Sequence, residues 1–448
     1  MLRAVRLLAA IILVAGCSDA IIVEVASDRP VPQAIDSVCV GIADTAANGG
    51  QFGHAYRLEG ALATLPQTLR VEAGGASDAF AWVRGDRGGV PAAWSAARVD
   101  FATDITLALD RCVLGPGATP RVVGAPAGPA DARLVASEGP GGMVVVAIGA
   151  GGAAVIDARS GALTTITSPP PPPGTIAALV AGDLDGDCDD DVIVATTGAA
   201  PQIWIRDRGT FVAAGTIGTS VVTAIALADV DRDGDIDAVL GAAGTLELWR
   251  NDGGGTFTRD AAALSGGGKV SSISALALGD VDGDGNPDLI VGQAGAPLAA
   301  WLGEPGGTGS FLYAPGVLPA VALDVERLTF ADADLDFDPD LAVAVRDAPM
   351  RLYIDRDGRL EDQSFVRLPP PAPTVHAIAI GGWDDGCEPD AVVAADAGAP
   401  TLRGQPGGTF AGDAPAPAAT DVVMVDIDDD GDLDALLATS QGVTWLAR

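Results

Sequence analysis

From residue 183 onward, aspartate residues recur at a spacing that suits the binding of a hard cation. Six acidic nonapeptides each lead into a short apolar stretch, and they begin 44 to 52 residues apart. They span 183–191, 229–237, 280–288, 332–340, 382–390 and 426–434, and each is named below by its first residue, as the 183 loop and so on. The loops contain 30 of the 60 acidic residues of a chain whose net charge is −34. Half of the acidic residues therefore lie in one repeated motif.

Side chains at positions 1, 3, 5 and 9 of such a loop, with a backbone carbonyl at position 7, can surround one ion with the oxygen ligands that Ca²⁺ prefers. Mg²⁺ and Mn²⁺ also take oxygen ligands, but Mg²⁺ demands stricter geometry and keeps its waters. Solvated Asp-rich turns without a metal are the alternative. Against that alternative, the carboxylates of one loop repel one another, and a divalent ion removes the repulsion.

Five of the six loops carry the complete carboxylate set and predict up to five structural calcium ions. The predicted ligands are Asp183, Asp185, Asp187, Asp191, Asp229, Asp231, Asp233, Asp237, Asp280, Asp282, Asp284, Asp288, Asp332, Asp334, Asp336, Asp340, Asp426, Asp428, Asp430 and Asp434. The 229, 280 and 426 loops rank first because a glycine at position 6 can adopt positive φ in the sharp turn. Cys188 and Phe337 hold that position in two others. Gly382 and Gly386 replace carboxylates in the 382 loop, which we expect to bind no ion.

The elements that position the loops follow the same period. An apolar strand pattern follows each loop, another precedes it, and an aromatic residue lies about 13 residues after position 9 in most copies. These aromatics are Trp204, Trp249, Trp301, Tyr353 and, slightly early, Trp445. We expect them to pack between sheets, with ligand stacking as the alternative. A seventh repeat without an acidic loop precedes the six, so residues 131–448 predict an all-β fold, a seven-bladed β-propeller of about 45 residues per blade.

The repeated units resemble the FG-GAP/VCBS repeats. The resemblance rests on the loops, on the strand that contains Leu248 and Trp249, and on the glycine-rich turn that ends in Phe257. These repeats also form the propeller of integrin α subunits, and their loops follow the pattern DxDxDGxxD. The resemblance covers roughly residues 131–448. It implies calcium in the loops and a role in adhesion or ligand binding, but it implies no particular ligand. The missing first loop and the eroded 382 loop depart from the pattern.

The N-terminus predicts export. Arg3 and Arg6 precede an apolar segment that is too short to span a bilayer, in the layout of a secretory signal. Residues 13–17 resemble the bacterial lipobox, which would place a lipid anchor on Cys17 after cleavage of residues 1–16. An ordinary signal peptide or a plain N-terminal anchor are the alternatives. Since Ser18 rather than Asp follows the cysteine, we expect a membrane-anchored lipoprotein in the outer membrane of a Gram-negative bacterium.

Residues 17–115 predict a small antiparallel β-sandwich, because seven short strand-like runs alternate there with glycine and polar turns. Residues 116–130 are rich in Gly, Pro and Ala and predict a linker before the propeller. In an oxidising compartment we expect Cys39 and Cys112 to form a disulfide. Cys188 and Cys387 share position 6 of two loops that are not neighbours, so whether they pair stays open.

The composition limits the classes of function. Two histidines, His54 and His376, and one lysine offer no recognisable catalytic constellation. The strong negative charge argues against nucleic-acid binding. We therefore expect a binding or adhesion module with an unknown protein or glycan ligand, and no enzyme. The alternative is a propeller enzyme that acts on polysaccharide, as a glycosidase or lyase, through carboxylates in the channel or loops.

Overall fold

The computed structural model describes most of residues 128–447 and, in residues 1–127, the backbone of the strands named below. The residues after 127 that it does not describe are 138–143, 150–151, 158–162, 188, 208, 219–220, 243, 266–267, 335–337, 371–372, 382, 384–387, 397–399, 406, 426–432 and 448. The described chain is almost entirely β-structure, with one short helix, α1, over Ser364–Arg367. It contains no helix long and apolar enough to cross a bilayer.

The N-terminal part forms two four-stranded sheets. Its strands are β1 (Arg3–Leu7), β2 (Ala20–Ser27), β3 (Ser37–Asp44), β4 (Gln51–Arg57), β5 (Gln67–Glu72), β6 (Ala79–Arg87), β7 (Val90–Val99) and β8 (Ile105–Leu109). They pair in the orders β1-β5-β2-β8 and β4-β3-β6-β7, and β6 and β7 contact β8 of the other sheet. All seven predicted strand-like runs are strands. The predicted purely antiparallel arrangement is wrong at one edge, where β8 pairs parallel to β2. The long crossover between these two strands permits that pairing.

The remaining strands form a series of antiparallel four-stranded sheets. They begin with β9 (Arg121–Ala127), β10 (Arg133–Ser137), β11 (Val144–Gly149), β12 (Gly152–Asp157), β13 (Leu163–Ile166), β14 (Ile176–Gly182), β15 (Asp191–Thr196), β16 (Ala199–Asp207), β17 (Thr210–Thr216), β18 (Ala224–Ala228), β19 (Asp237–Ala242), β20 (Thr245–Asn251) and β21 (Phe257–Asp260). In sequence order, β10–β13, β14–β17 and β18–β21 each make one sheet.

The series continues with β22 (Leu264–Ser265), β23 (Ile273–Gly279), β24 (Asp288–Pro297), β25 (Ala299–Gly303), β26 (Phe311–Tyr313), β27 (Ala322–Ala331), β28 (Asp340–Val345), β29 (Arg351–Asp355), β30 (Leu360–Asp362), β31 (Ala377–Gly381), β32 (Asp390–Ala394), β33 (Pro400–Gln405), β34 (Thr409–Pro415), β35 (Asp421–Val425), β36 (Asp434–Thr439) and β37 (Gly442–Ala447). Strands β23–β26 and β27–β30 form two sheets, and they are joined because the end of the long β24 pairs with the start of β27. The two-residue β22 is an exception to the antiparallel pattern, because it pairs parallel to β26. Strands β31–β34 form the next sheet.

The last sheet is completed from the beginning of the repeat region. Its order is β35-β36-β37-β9, so Arg121–Ala127 lies antiparallel to Gly442–Ala447. The linker predicted over 116–130 is therefore wrong for this segment. Strand β9 thus takes the fourth place in this sheet and pairs the outer edge of β37.

The sheets follow one another in a closed cycle. In the described part of the chain, the first strands β10, β14, β18, β23, β27, β31 and β35 contact one another in that order, and β35 contacts β10. An apolar core lies between each pair of consecutive sheets. Ile193 of β15, for example, packs towards Ile225 of the following sheet, whereas Val192 packs towards Ile148 of the preceding one. This arrangement is consistent with a β-propeller.

Burial on both faces explains the apolar runs after the loops. Strands β15, β28 and β36 are buried at every residue. Each fully buried Val, Ile or Leu contributes on the order of 2 kcal/mol relative to exposure. The recurrent aromatics belong to the same cores, as predicted: Trp204, Trp301 and Tyr353 are 0%, 3% and 1% exposed. The prediction that these three side chains pack between sheets is therefore confirmed.

Candidate metal centres in the acidic loops

Each acidic loop connects the first strand of a sheet to the second, and its ninth residue is the first residue of the second strand. This is true of Asp191, Asp237, Asp288, Asp340, Asp390 and Asp434, which begin β15, β19, β24, β28, β32 and β36. All six residues are buried, with between 0% and 4% of each residue exposed. The buried strand thus fixes the end of each loop at its ninth residue.

Hydrogen bonds hold this ninth carboxyl in a recurrent geometry. In the 280 loop, Oδ2 of Asp288 accepts from the amide of Val281 at 2.7 Å, and Oδ1 accepts from the amide of Gly303 in the third strand at 2.7 Å. The amide 14 or 15 residues after position 9 makes the same bond in four other loops, from Arg206, Asn251, Asp355 and Gly404. In the 280 loop the carboxyl therefore ties three segments of one sheet together. In the eroded 382 loop, Oδ1 of Asp390 still accepts from the amide of Gly404 in the third strand.

Four loops bring carboxylate oxygens together closely enough to hold one cation. In each group, three oxygens lie within 4.8 Å of one another. The groups are Asp183, Asp185 and Asp191; Asp229, Asp231 and Asp233; Asp280, Asp282 and Asp288; and Asp332, Asp334 and Asp340. Thus 12 of the 20 predicted ligands are gathered into clusters in the described residues. An oxygen-only donor set of this kind suits a hard cation.

In three of the four clusters, position 3 contributes an oxygen that has no hydrogen-bond partner among the described residues. In the described part of the chain, Oδ1 of Asp185, Asp231 and Asp334 is buried and accepts no hydrogen bond. A buried carboxylate oxygen without a donor costs free energy that a bound cation would recover. Because the same atom is left over in three separate loops, the residues fit a metal ion.

Position 5 does not belong to the clusters of the 183 and 280 loops. Oδ1 of Asp187 accepts from the amide of Asp189 at 2.9 Å, and Oδ1 of Asp284 accepts from the amide of Asn286 at 2.8 Å. Such Asx turns satisfy a carboxylate within its own loop. Of the other predicted ligands, Asp336, Asp426, Asp428 and Asp430 lie outside the described residues, and Asp434 is buried at the start of β36.

In the 229 loop an arginine forms ion pairs with the carboxylates at positions 9 and 3. Nη1 of Arg250 lies 3.1 Å from Oδ2 of Asp237 and 3.2 Å from Oδ2 of Asp231. The cluster there consequently uses position 5, Asp233, instead of position 9. In the 332 loop, Oδ2 of Asp334 accepts from Arg356 and Arg367, each at 2.9 Å. These guanidinium groups supply part of the positive charge that a metal would otherwise bring.

The crowding of buried carboxyls changes their acidity. Burial raises the pKa of Asp191 to about 9, with a further contribution from Asp185, although amide hydrogen bonds oppose the shift. Burial likewise raises the pKa of Asp288 to about 8 and that of Asp237 to about 7, with contributions from Asp282 and Asp231. Without a cation, protons would neutralise these carboxyls.

Left-handed backbone shapes the loops at two positions. Gly234 and Gly285, both at position 6, have φ of 102° and 84°, as the sequence predicts. Position 4 is also left-handed, at Gly186, Gly283 and Arg232, with φ of 77°, 69° and 62°. Sequence reasoning missed this second position, although the glycines of two loops gave a signal. Because Arg232 has a Cβ atom, its left-handed conformation costs free energy.

Each described cluster also contacts the following sheet, at the hairpin between its third and fourth strands. The amide of Gly255 donates to the carbonyl of Leu184 in the 183 loop at 2.8 Å. A Cβ atom at Gly307 would lie 3.2 Å from the carbonyl oxygen of Asp231, and one at Gly358 would lie 3.2 Å from Cβ of Asp282. Gly408 approaches Asp334 in the same way. The glycine-rich turns in the sequence are thus the surfaces on which the preceding acidic loops rest.

A comparison with protein families identifies the repeats. The FG-GAP-like repeat matches three overlapping segments, residues 183–240, 229–291 and 280–343. Residues 183–343 are FG-GAP-like repeats. Each matched segment begins at position 1 of one acidic loop and contains the whole of the next loop, so the repeat signal and the described clusters coincide.

Other comparisons add little to the FG-GAP-like repeats. No curated protein matches the chain. A solved structure, described as the structural basis of specific recognition of non-reducing terminal N-acetylglucosamine by an Agrocybe aegerita lectin, aligns at 15% identity with a TM-score of 0.43. The alignment covers 70% of this chain and 86% of that chain.

Proposed function

We propose that this chain is an exported, lipid-anchored and calcium-stabilised binding module with a seven-bladed β-propeller. The cycle of first strands and the apolar core between each pair of consecutive sheets support the blade count. The FG-GAP-like repeats support the propeller reading over residues 183–343. A rigid ring with loops at both faces offers a stable platform for a ligand.

The observation that carries the calcium proposal is the partnerless buried oxygen at position 3 of three clusters. The carboxylates of the four described clusters would hold the ions, with the 426 loop as a fifth candidate from the sequence. The chemistry that calcium would supply is charge neutralisation. Each ion would fix an acidic loop against the glycine hairpin of the next sheet and so join neighbouring blades.

A binding role fits the titratable groups better than catalysis. Both ring nitrogens of His376 lie near carboxylates, Glu326 at 2.9 Å and Asp396 at 3.0 Å, so the imidazole is held in an ionic network. The acidic groups cluster in the loops, where their regular placement suits metal ligands. In the proposal, the ligand is a protein or a glycan at the cell surface or in the periplasm.

A screen against glycan and protein arrays, with and without calcium, tests the function. We expect saturable, calcium-dependent retention of the purified protein and no turnover of the retained ligand. Turnover of a polysaccharide, lost on single Asp or Glu substitutions outside the acidic loops, would replace the binding proposal with the glycosidase or lyase alternative.

The proposed anchor has its own test. Cys17→Ala removes the sulfur that would carry the lipid, so we expect the variant to move from the membrane pellet to the soluble fraction of the producing bacterium. Ser18→Ala serves as the matched control and should stay in the outer-membrane fraction. Continued membrane association of Cys17→Ala would count against lipidation at this residue.

A further inference from the structure

Three charged side chains from different sheets meet inside the ring. Arg133 lies in β10, Arg327 in β27 and Asp421 at the start of β35. Nη2 of Arg327 lies 2.8 Å from Oδ2 of Asp421. The strands β27 and β35 are not neighbours in the cycle, because β31 lies between them. Their side chains can therefore meet only in the central opening that the first strands enclose.

One carboxylate oxygen serves both guanidinium groups at this point. Oδ2 of Asp421 accepts from Arg327 at 2.8 Å and from the amide of Leu134 at 3.1 Å, and it lies 4.0 Å from Nη1 of Arg133. In the described part of the chain, Nε of Arg327 is buried and donates no hydrogen bond. Since a guanidinium group carries five N–H donors, this pair has donors to spare.

The carboxylate of Glu326, which also acts on Arg133, is already engaged with other groups. Oε2 of Glu326 lies 2.9 Å from Nδ1 of His376, and Oε1 lies 3.5 Å from Nη2 of Arg346. Burial lowers the pKa of Arg133, and the charge of Arg327 lowers it further, while Asp421 and Glu326 oppose the shift. The two arginines thus keep guanidinium donors that neither Asp421 nor Glu326 occupies in the described part of the chain.

Solvent reaches both arginines. The side chains of Arg133 and Arg327 are 34% and 29% exposed. Arg133 and Asp421 lie at the beginnings of their strands, whereas the acidic loops follow the ends of the first strands. The arginine pair therefore lies towards the face opposite the metal loops, and a ligand that enters there need not displace calcium.

We propose that Arg133 and Arg327 bind the carboxylate group of a small ligand at the mouth of the central channel. A planar carboxylate matches the paired donors of guanidinium groups. The donors that Asp421 leaves unused on the two guanidinium groups can be satisfied by the two oxygens of one carboxylate. The carboxylate can belong to a sugar acid or to an acidic amino acid. The inference rests on the proposed binding function and assigns that function a site and a chemical class.

Isothermal titration calorimetry at low ionic strength and saturating calcium tests the site. The probes are glucuronate, the N-acetylated and C-amidated form of aspartate, and glucose as the neutral control. We expect one of the two carboxylates to bind and glucose not to bind. Arg133→Gln and Arg327→Gln should each weaken the binding about tenfold or more, because each removes a charged hydrogen-bond donor. Arg259→Gln, at an exposed ion pair with Glu247 in another part of the molecule, should leave the affinity unchanged.

Arg133→Gln is the safer variant for folding, because its ion pair is already long at 4.0 Å. An unchanged melting temperature in calcium would show that this variant folds. Binding of neither carboxylate by the wild-type protein, or equal binding by the wild type and Arg133→Gln, would overturn the site. Because the array screen and calorimetry use different ligands, the channel site can fail while the binding module stands, and carboxylate binding can persist if the arrays show no retention.

Discussion

Removal of calcium is expected to lower the melting temperature of this protein by on the order of 10 °C. If each loop has the affinity usual for extracellular calcium modules, millimolar calcium stabilises it by on the order of 1 kcal/mol. The four described clusters then contribute about 4 kcal/mol, and each 1 kcal/mol shifts the midpoint of a large domain by roughly 2–4 °C. Scanning calorimetry with EGTA, and then with excess CaCl₂, measures the loss and the recovery.

A single substitution separates calcium binding from general stability. Asp282→Asn keeps an oxygen that can accept the amide hydrogen bond from Asp284 but removes one charge from the 280 loop. In calcium the variant should melt below the wild type, by about a quarter of the total calcium effect. In EGTA it should melt at the same temperature or higher, because Asp280 and Asp284 no longer repel it.

Asp413→Asn is the matched control, since Asp413 is exposed in β34 and lies outside every acidic loop. It should respond to calcium as the wild type does. An unchanged midpoint of the wild type in EGTA would remove the structural-metal proposal, and a midpoint restored equally by magnesium would change the identity of the ion.

The parts of the fold that the sequence predicts well are those with local, repeated signals. An apolar run after each loop, an aromatic farther on and a glycine turn recur in most units. A wrong assignment in one unit is therefore corrected by the others. Burial of β15 or β28 on both faces follows directly from their unbroken apolar sequences. The strands of the N-terminal sheets carry the same kind of local signal.

The closing strand could not be predicted in this way. Arg121–Ala127 pairs with Gly442–Ala447, more than 300 residues away. Its composition resembles a linker, and its partner β37 lies in the last sheet of the cycle. Long-range pairing of this kind depends on the whole topology, which no window of sequence contains.

Within the loops, the sequence shows which residues are acidic, but it does not predict which of them form the cluster and which accept backbone hydrogen bonds. Position 9 is at once a cluster residue and the acceptor of buried amides, as Asp288 shows. Arg250 draws Asp237 away from its cluster, and this arginine lies in a different strand. The central arginine pair is harder still to foresee, because Arg133 and Arg327 come from different repeats and follow no period.

The stability of the metal-free protein is expected to fall as pH rises from 5 to 9, which is the opposite of ordinary carboxylate behaviour. The pKa of Asp191 is raised to about 9, that of Asp288 to about 8 and that of Asp237 to about 7, in each case first by burial. In the unfolded chain these groups titrate near 4. Between the two values the folded state binds more protons than the unfolded state, so the free energy of unfolding decreases with pH. The contribution is fully present below about pH 4 and is lost as pH rises through about 7 to 9.

Calcium should reverse this dependence. A carboxylate must lose its proton before it binds a metal, so calcium affinity rises with pH, and the bound state no longer gains stability from protonation. Urea denaturation at pH 5, 7 and 9 gives two curves of unfolding free energy against pH, one in EGTA and one in CaCl₂. About 5 mM CaCl₂ exceeds the dissociation constants of roughly 10⁻⁴–10⁻³ M that are usual for extracellular calcium modules. The two curves should diverge with pH, with the smallest calcium effect at pH 5. Asp288→Asn should reduce the slope in EGTA, because the amide does not titrate at position 9 of its loop. Parallel curves would mean that the buried carboxyls titrate independently of the ion, and the oxygen clusters would then lose their assignment as metal ligands.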